Sequence, residues 1–136
     1  MNINEILTSV PAIANYHNSR IEFEGLEMFC RYNERTSRSD LTIFREEEEI
    51  GFIYMEGAQI KCSDIYPAAR GKGFGKLAYW ILLEINGILI SDNSVSEMAF
   101  NVYSSLGRDF KLIEHPRLSL DDYGYRAPQW CFILKK

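Results

Sequence analysis

The sequence is poor in the residues that build metal centres. Histidine occurs twice, at His17 and His115, far apart in the chain. Cysteine occurs three times, as Cys30, Cys62 and Cys131. An odd number at wide spacing suits neither a disulfide framework nor a zinc site, so no metal is expected. Free thiols in a reducing cytosol are the expectation instead. A basic excess is missing too: 15 Lys and Arg stand against 19 Asp and Glu, for a formal net charge of -4. Strong nucleic-acid binding needs a basic field or stripe and is not expected. Arg20, Arg31, Arg35, Arg38 and Arg45 are balanced in the same stretch by Glu22, Glu24, Glu27, Glu34 and Asp40. Long apolar runs are absent as well. The longest, Leu77 to Leu83, is too short to span a bilayer. The N-terminus lacks the basic region and apolar run of a secretory signal. A cytoplasmic protein that does not contact membranes is expected.

What is present describes an ordinary folded domain. The 136 residues are 46% hydrophobic and 25% charged, without repeat or linker, so one domain over residues 1–136 is expected. Ile3, Ile6, Leu7 and Val10 recur at helical spacing, and Pro11 ends or restarts that helix. The period then becomes alternating. Leu26, Met28, Cys30 and Tyr32 predict one strand, Leu41 and Ile43 a second, and Ile50, Phe52 and Tyr54 a third. The acidic run Glu46 to Glu49 predicts a solvated turn. A fourth strand follows Glu56-Gly57, with Ala58, Ile60, Cys62 and Asp64 expected on its inner face. After a glycine-rich stretch, Leu77 to Ile85 predict an apolar helix closed by Asn86-Gly87. Ile88 to Ile90 predict a short strand. Ser94 and Glu97 form a capping box for a helix carrying Val95, Met98, Ala99, Val102 and Leu106. Lys111 to Ile113 and Trp130 to Leu134 predict closing strands around a polar loop containing Asp121, Asp122, Tyr123 and Tyr125. The order predicts an α+β fold with a mixed, mostly antiparallel sheet. Its fourth and fifth strands, joined by a crossover helix, should be parallel.

The glycine-rich stretch Arg70-Gly71-Lys72-Gly73-Phe74-Gly75-Lys76 carries the chemistry. It is not a P-loop, because Arg70 stands at the first glycine and Leu77 where Ser or Thr is needed. A dinucleotide fingerprint begins well at Gly71 and Gly73, and Asp92 lies roughly 20 residues on. The third glycine, however, would fall at Lys76. Glycines that let backbone N–H groups converge, a helix N-terminus and three cations make a pyrophosphate cradle of another kind.

The segment Arg70 to Gly75 resembles the Arg/Gln-x-x-Gly-x-Gly/Ala signature of the GNAT superfamily of N-acetyltransferases. A second segment, Ala99-Phe100-Asn101-Val102-Tyr103-Ser104-Ser105-Leu106-Gly107, resembles that family's Ala-x-x-x-Tyr-x-x-Leu-Gly helix. The lead-in Ile65-Tyr66-Pro67 is similar to its strand exit. The chain departs from the family at Ser96, where Asn is common. It also has only the short polar stretch Asn33 to Ser39 where the family has two helices. Ile90-Ser91-Asp92 with Ser94-Val95-Ser96 resembles small acetyltransferase-like proteins of tailed phages.

The resemblance implies acetyl-CoA as acyl donor and a primary amine as acceptor, attacked directly. It implies that Arg70, Gly71, Lys72, Gly73, Phe74, Gly75 and Lys76 hold the pyrophosphate. The fourth and fifth strands splay in the family, so Ile65 would lie near the thioester and its N–H could stabilise the oxyanion. Tyr103 is implied as general acid for the leaving thiolate; otherwise it is a packed helix tyrosine. Asp64 is the candidate base, with burial raising its pKa; otherwise it is a hydrogen-bonded carboxylate. Asp92 and water are the other candidates for the base. Tyr123 and Tyr125 either line the acceptor cleft or belong to a surface loop. The acceptor, a small molecule or a protein amine, stays open, and a dimer is compatible with the resemblance. A non-catalytic binding module, such as a phage protein that meets a host factor, and a phage nucleobase-modifying enzyme of the same fold are the alternatives.

Overall fold

The computed structural model describes residues 10–92, 97–114, 118–120, 126–128 and 131–135. The expected helix through Ile3, Ile6 and Leu7 lies outside these residues. Pro11 does restart the chain: with its extended φ and ψ it caps a 3-10 turn, Ala12–Tyr16. Five strands follow, β1 (Ser19–Phe23), β2 (Leu26–Asn33), β3 (Arg38–Arg45), β4 (Glu48–Glu56) and β5 (Gln59–Ile65). Each pairs antiparallel with the next. The chain then forms helix α1 (Phe74–Asn86), strand β6 (Ile88–Ile90), helix α2 (Glu97–Leu106) and strand β7 (Phe110–Glu114). Two short strands, β8 (Leu118–Leu120) and β9 (Arg126–Pro128), pair with each other, and β10 (Cys131–Lys135) ends the chain's described part. The main sheet has the order β1-β2-β3-β4-β5-β6-β10-β7.

Among the described residues one strand pair is parallel, β5 with β6, as the crossover through α1 requires. The expected mixed, mostly antiparallel sheet is therefore present. Strand β1 was not foreseen. It lies at the sheet edge with only Ile21 partly covered, so the apolar alternation that marks a half-buried strand is missing. The hairpin β8–β9 lies where a polar loop was expected; Tyr123 and Tyr125 lie outside the described residues.

The core gathers on one face of the sheet. Leu26, Met28 and Cys30 of β2, Leu41 and Ile43 of β3, and Ile53 and Met55 of β4 are buried there. Ala78, Leu82 and Leu83 of α1 belong to the same cluster. The turn at residues 12–16 is fixed to the end of α1 because the Ile13 N–H donates to Asn86 Oδ1 at 2.8 Å.

Two bulges decide which side chains face that core. In β4, Ile43 pairs with Gly51 but Phe44 pairs with Glu49, so Ile50 is an extra residue. Phe52 and Tyr54 therefore do not continue the buried phase of Ile50; Ile53 and Met55 do. In β5, Tyr54 pairs with Cys62 but Met55 pairs with Ile60, so Lys61 is extra. This corrects the expected inner face of the fourth strand. Ile60 is buried, but Cys62 is exposed, and Asp64 lies on the same side as Cys62. A single inserted residue reverses every later side chain of a strand.

Candidate active site

The sheet opens between β5 and β6. Their only register pair is Gln59 with Ile90, closed by the Ile90 N–H donating to the Ala58 carbonyl at 3.0 Å. The Gln59 side chain adds a bond from Nε2 to the Ser91 carbonyl at 3.0 Å. Beyond that point, among the described residues, β5 pairs with β4 alone. The Tyr66 N–H donates to the Ile50 carbonyl at 2.8 Å, which makes Gly51 and Ile65 a non-hydrogen-bonded pair. Ile65, and Ser63 two residues earlier, therefore turn their main-chain N–H and C=O groups away from β4, toward the open edge.

The glycine-rich loop stands at the end of this edge. Gly71 and Gly73 have φ of 78° and 82°, a left-handed conformation that glycine adopts without steric cost. Gly73 is the N-cap of α1, with no side-chain capping bond. The first turn of the helix thus presents free N–H groups and the positive end of its dipole. Gly75 packs close enough that a Cβ there would lie 3.5 Å from Ile65 Cγ1.

Strand edge, loop and helix enclose a cleft of about 420 Å³, within the size range of ligand pockets. Asp64, Ile65, Arg70, Gly71, Gly73, Phe74, Gly75 and Lys76 line it, together with Ala99 and Val102 of α2. The sequence motifs from opposite ends of the expected site therefore converge on one space. Lys72 does not line this cleft. It borders a neighbouring hollow with Glu46, Glu48 and Glu49.

Arg70 does not point its charge into free space. Its Nε donates to the Ile65 carbonyl at 2.7 Å, and its Nη2 bonds Asp64 Oδ1 at 3.0 Å. It braces the last residues of β5 against the loop. Asp64 was expected to be buried. Its side chain is 44% exposed and ion-paired, because the Lys61 bulge turns it off the core face. Asp92, the other carboxylate considered, stands 3.8 Å from Lys61.

Tyr103 is 2% exposed and is not among the residues lining the cleft. The tyrosine that lines it is Tyr79 of α1. The Tyr79 hydroxyl shares a hydrogen bond of 2.5 Å with Ser63 Oγ of β5, and its ring lies 5.5 Å from that of Tyr103. Burial pushes the Tyr79 phenol above the ordinary tyrosine range, while the bond to Ser63 and the neighbouring Tyr103 hydroxyl act the other way. It stays protonated at neutral pH. Sequence reasoning missed both Ser63 and Tyr79. The available signal was that Tyr79 is the one hydroxyl in the apolar run Leu77 to Ile85, and a buried phenol needs a partner.

No group of three or more His, Cys, Asp or Glu side chains converges among the described residues. None of the described helices is long and apolar enough to cross a membrane.

No protein-family model matches the sequence, and no curated protein matches it closely enough to count as a relative. Solved structures do match in shape. The dodecameric spermidine N-acetyltransferase from Vibrio cholerae in an intermediate state superposes with a TM-score of 0.53 at 15% identity. That match covers 72% of this chain and 65% of that one. A chimera of the Vibrio cholerae enzyme with hSSAT gives 0.54 at 16% identity, over 74% of this chain and 71% of the other. The chain thus spans about two thirds of the length of these structures. The likeness is one of fold, and the fold is that of the GNAT N-acetyltransferases.

Proposed function

We propose that this chain, built on the GNAT fold, is an acyl-CoA-dependent N-acyltransferase that passes acetyl from acetyl-CoA to a primary amine. The observation that carries the reading is the unpaired edge of β5 running into the glycine loop within one cleft. An extended arm carrying amides can add to that edge as a further strand would. Its diphosphate end meets the free N–H groups of the α1 N-terminus, with Lys76 beside them.

The thioester supplies an acyl group with a thiol leaving group; the chain's own groups do the rest. The arm enters past Ile65, whose carbonyl is held by Arg70, so its reacting end lies deeper, near Ser63. The outward N–H groups of Ser63 and Ile65 are the donors available to a developing oxyanion. A phenol of the Tyr79–Tyr103 pair is the proton source for the leaving thiolate. Asp64 steadies Arg70, and the proton of the attacking amine leaves through water at the cleft mouth. The net charge of -4 favours a cationic acceptor, and spermidine, the substrate named for the neighbouring fold, heads the amines to try.

Calorimetry with acetyl-CoA, followed by mass spectrometry of an amine panel with spermidine, a lysine peptide and a free peptide N-terminus, tests the reading. Binding of acetyl-CoA and a mass gain of one acetyl on at least one amine are expected. Failure of the wild-type protein to bind any acyl-CoA would sink it and leave a binding module on this fold.

A further inference from the structure

We infer that Tyr79, on the helix after the glycine loop, is the phenol that protonates the leaving thiolate, and that Tyr103 behind it is a positioning residue. The inference rests on the acyltransferase reading above. Both tyrosines are almost wholly buried, but their places differ. Tyr79 is part of the cleft wall and Tyr103 is not. Ser63, which shares a hydrogen bond with Tyr79, is also part of that wall. Its main-chain N–H points to the open edge of β5, where the reacting end of the donor would lie. Of the two phenols, Tyr79 is thus the one that borders the cleft, with its hydroxyl bonded to a second wall residue, Ser63. Tyr103 packs against the Tyr79 ring, with centroids 5.5 Å apart.

The step balances as follows. The amine nitrogen bonds to the thioester carbon, and the C–S bond breaks with its electron pair on sulfur. Sulfur takes the Tyr79 proton. The nitrogen loses one proton to water, and the phenolate regains one from water through the cleft. Ser63 holds the hydroxyl in line through its hydrogen bond and stabilises the short-lived phenolate with its own O–H, while Tyr103 fixes the Tyr79 ring by packing against it. Burial keeps the phenol protonated until sulfur needs it.

The test compares Tyr79→Phe, Tyr103→Phe and Ser63→Ala, using acetyl-CoA and the amine that the wild-type protein acetylates best. Tyr79→Phe is expected to lower kcat by about 100-fold or more, the usual share of a general acid. Its acetyl-CoA affinity by calorimetry should stay within a factor of about 3, and the alkaline limb of its pH–rate profile should vanish. Tyr103→Phe and Ser63→Ala should lose less than tenfold and keep that limb, moved to higher pH. If Tyr79→Phe is poorly folded, 3,5-difluorotyrosine incorporated at Tyr79 keeps shape and hydroxyl, and should move the alkaline limb to lower pH. Near-normal turnover in Tyr79→Phe, or a loss in Tyr103→Phe as large as in Tyr79→Phe, overturns the assignment. So does an alkaline limb that does not move with the fluorinated residue. Failure of the acyltransferase reading is distinguished separately, by a wild-type protein that binds no acetyl-CoA.

Discussion

At the scale of single residues, the cleft depends on close backbone approach. A Cβ on Gly51 would lie 2.3 Å from the Asp64 carbonyl oxygen and 3.1 Å from Ile65 Cα. Both neighbours are main chain, so neither can swing aside. Gly51→Ala should therefore push β5 off β4 at the end that carries Ile65. A loss of about 1–3 kcal/mol, the usual range for overpacking, is expected in denaturant unfolding, with weaker acetyl-CoA binding beside it. The loop glycines differ: nothing lies within 4 Å of a Cβ at Gly71 or Gly73, and only their positive φ requires glycine. These glycines, Arg70 and the run Ala99 to Gly107 were legible in the sequence because each is a local pattern. Asp64 was legible as a residue but not as to its side. A bulge is set by how two strands fit, and nothing in Lys61 itself announces one. Tyr79 was hidden by its apolar neighbours, which made it look like core.

Elements show the same division. The crossover helix and the parallel pair follow from order alone, whereas turns and edges do not. The β3–β4 turn is closed by Arg45 pairing with Glu48, with Glu46 and Glu47 at φ of 51° and 67°. Two positive φ values in a two-residue loop make a type I′ turn, which favours Asn-Gly. The acidic run from Glu46 to Glu49 correctly marked a turn, but Glu48 and Glu49 belong to β4. Left-handed backbone in a non-glycine residue costs roughly 1–2 kcal/mol. Replacing Glu46-Glu47 by Asn-Gly should therefore stabilise the protein by about 1–2 kcal/mol, read as a higher denaturant midpoint with an unchanged slope. A lower midpoint would show that the glutamates make compensating contacts. Because this turn also borders the hollow that holds Lys72, acetyl-CoA affinity measured on the same variant reports whether that hollow bears on the donor.

At the scale of the whole molecule, stability should fall in alkali for a reason found in the core. Burial, and then the charge of Asp40, pushes the Cys30 thiol from 9.0 up to about 11. A folded pKa above the unfolded one stabilises the fold fully below pH 9, and that contribution is lost as pH rises to about 11. Urea unfolding at pH 8, 9.5 and 10.5 should show a falling midpoint, and Cys30→Ala should fall less steeply over the same interval. An equally steep fall would place the effect elsewhere, with the raised Tyr79 phenol as the next group to examine. The single pair joining β5 to β6 has a kinetic consequence as well. Strands β1 to β5 are consecutive hairpins, whose contacts close short loops at little entropic cost. The union of Gln59 with Ile90 closes a longer loop, because the whole of α1 lies between them in the chain. The molecule would then assemble as a fast-forming curl of hairpins onto which the last strands dock, with its slowest folding event and the seam of its binding cleft in the same place.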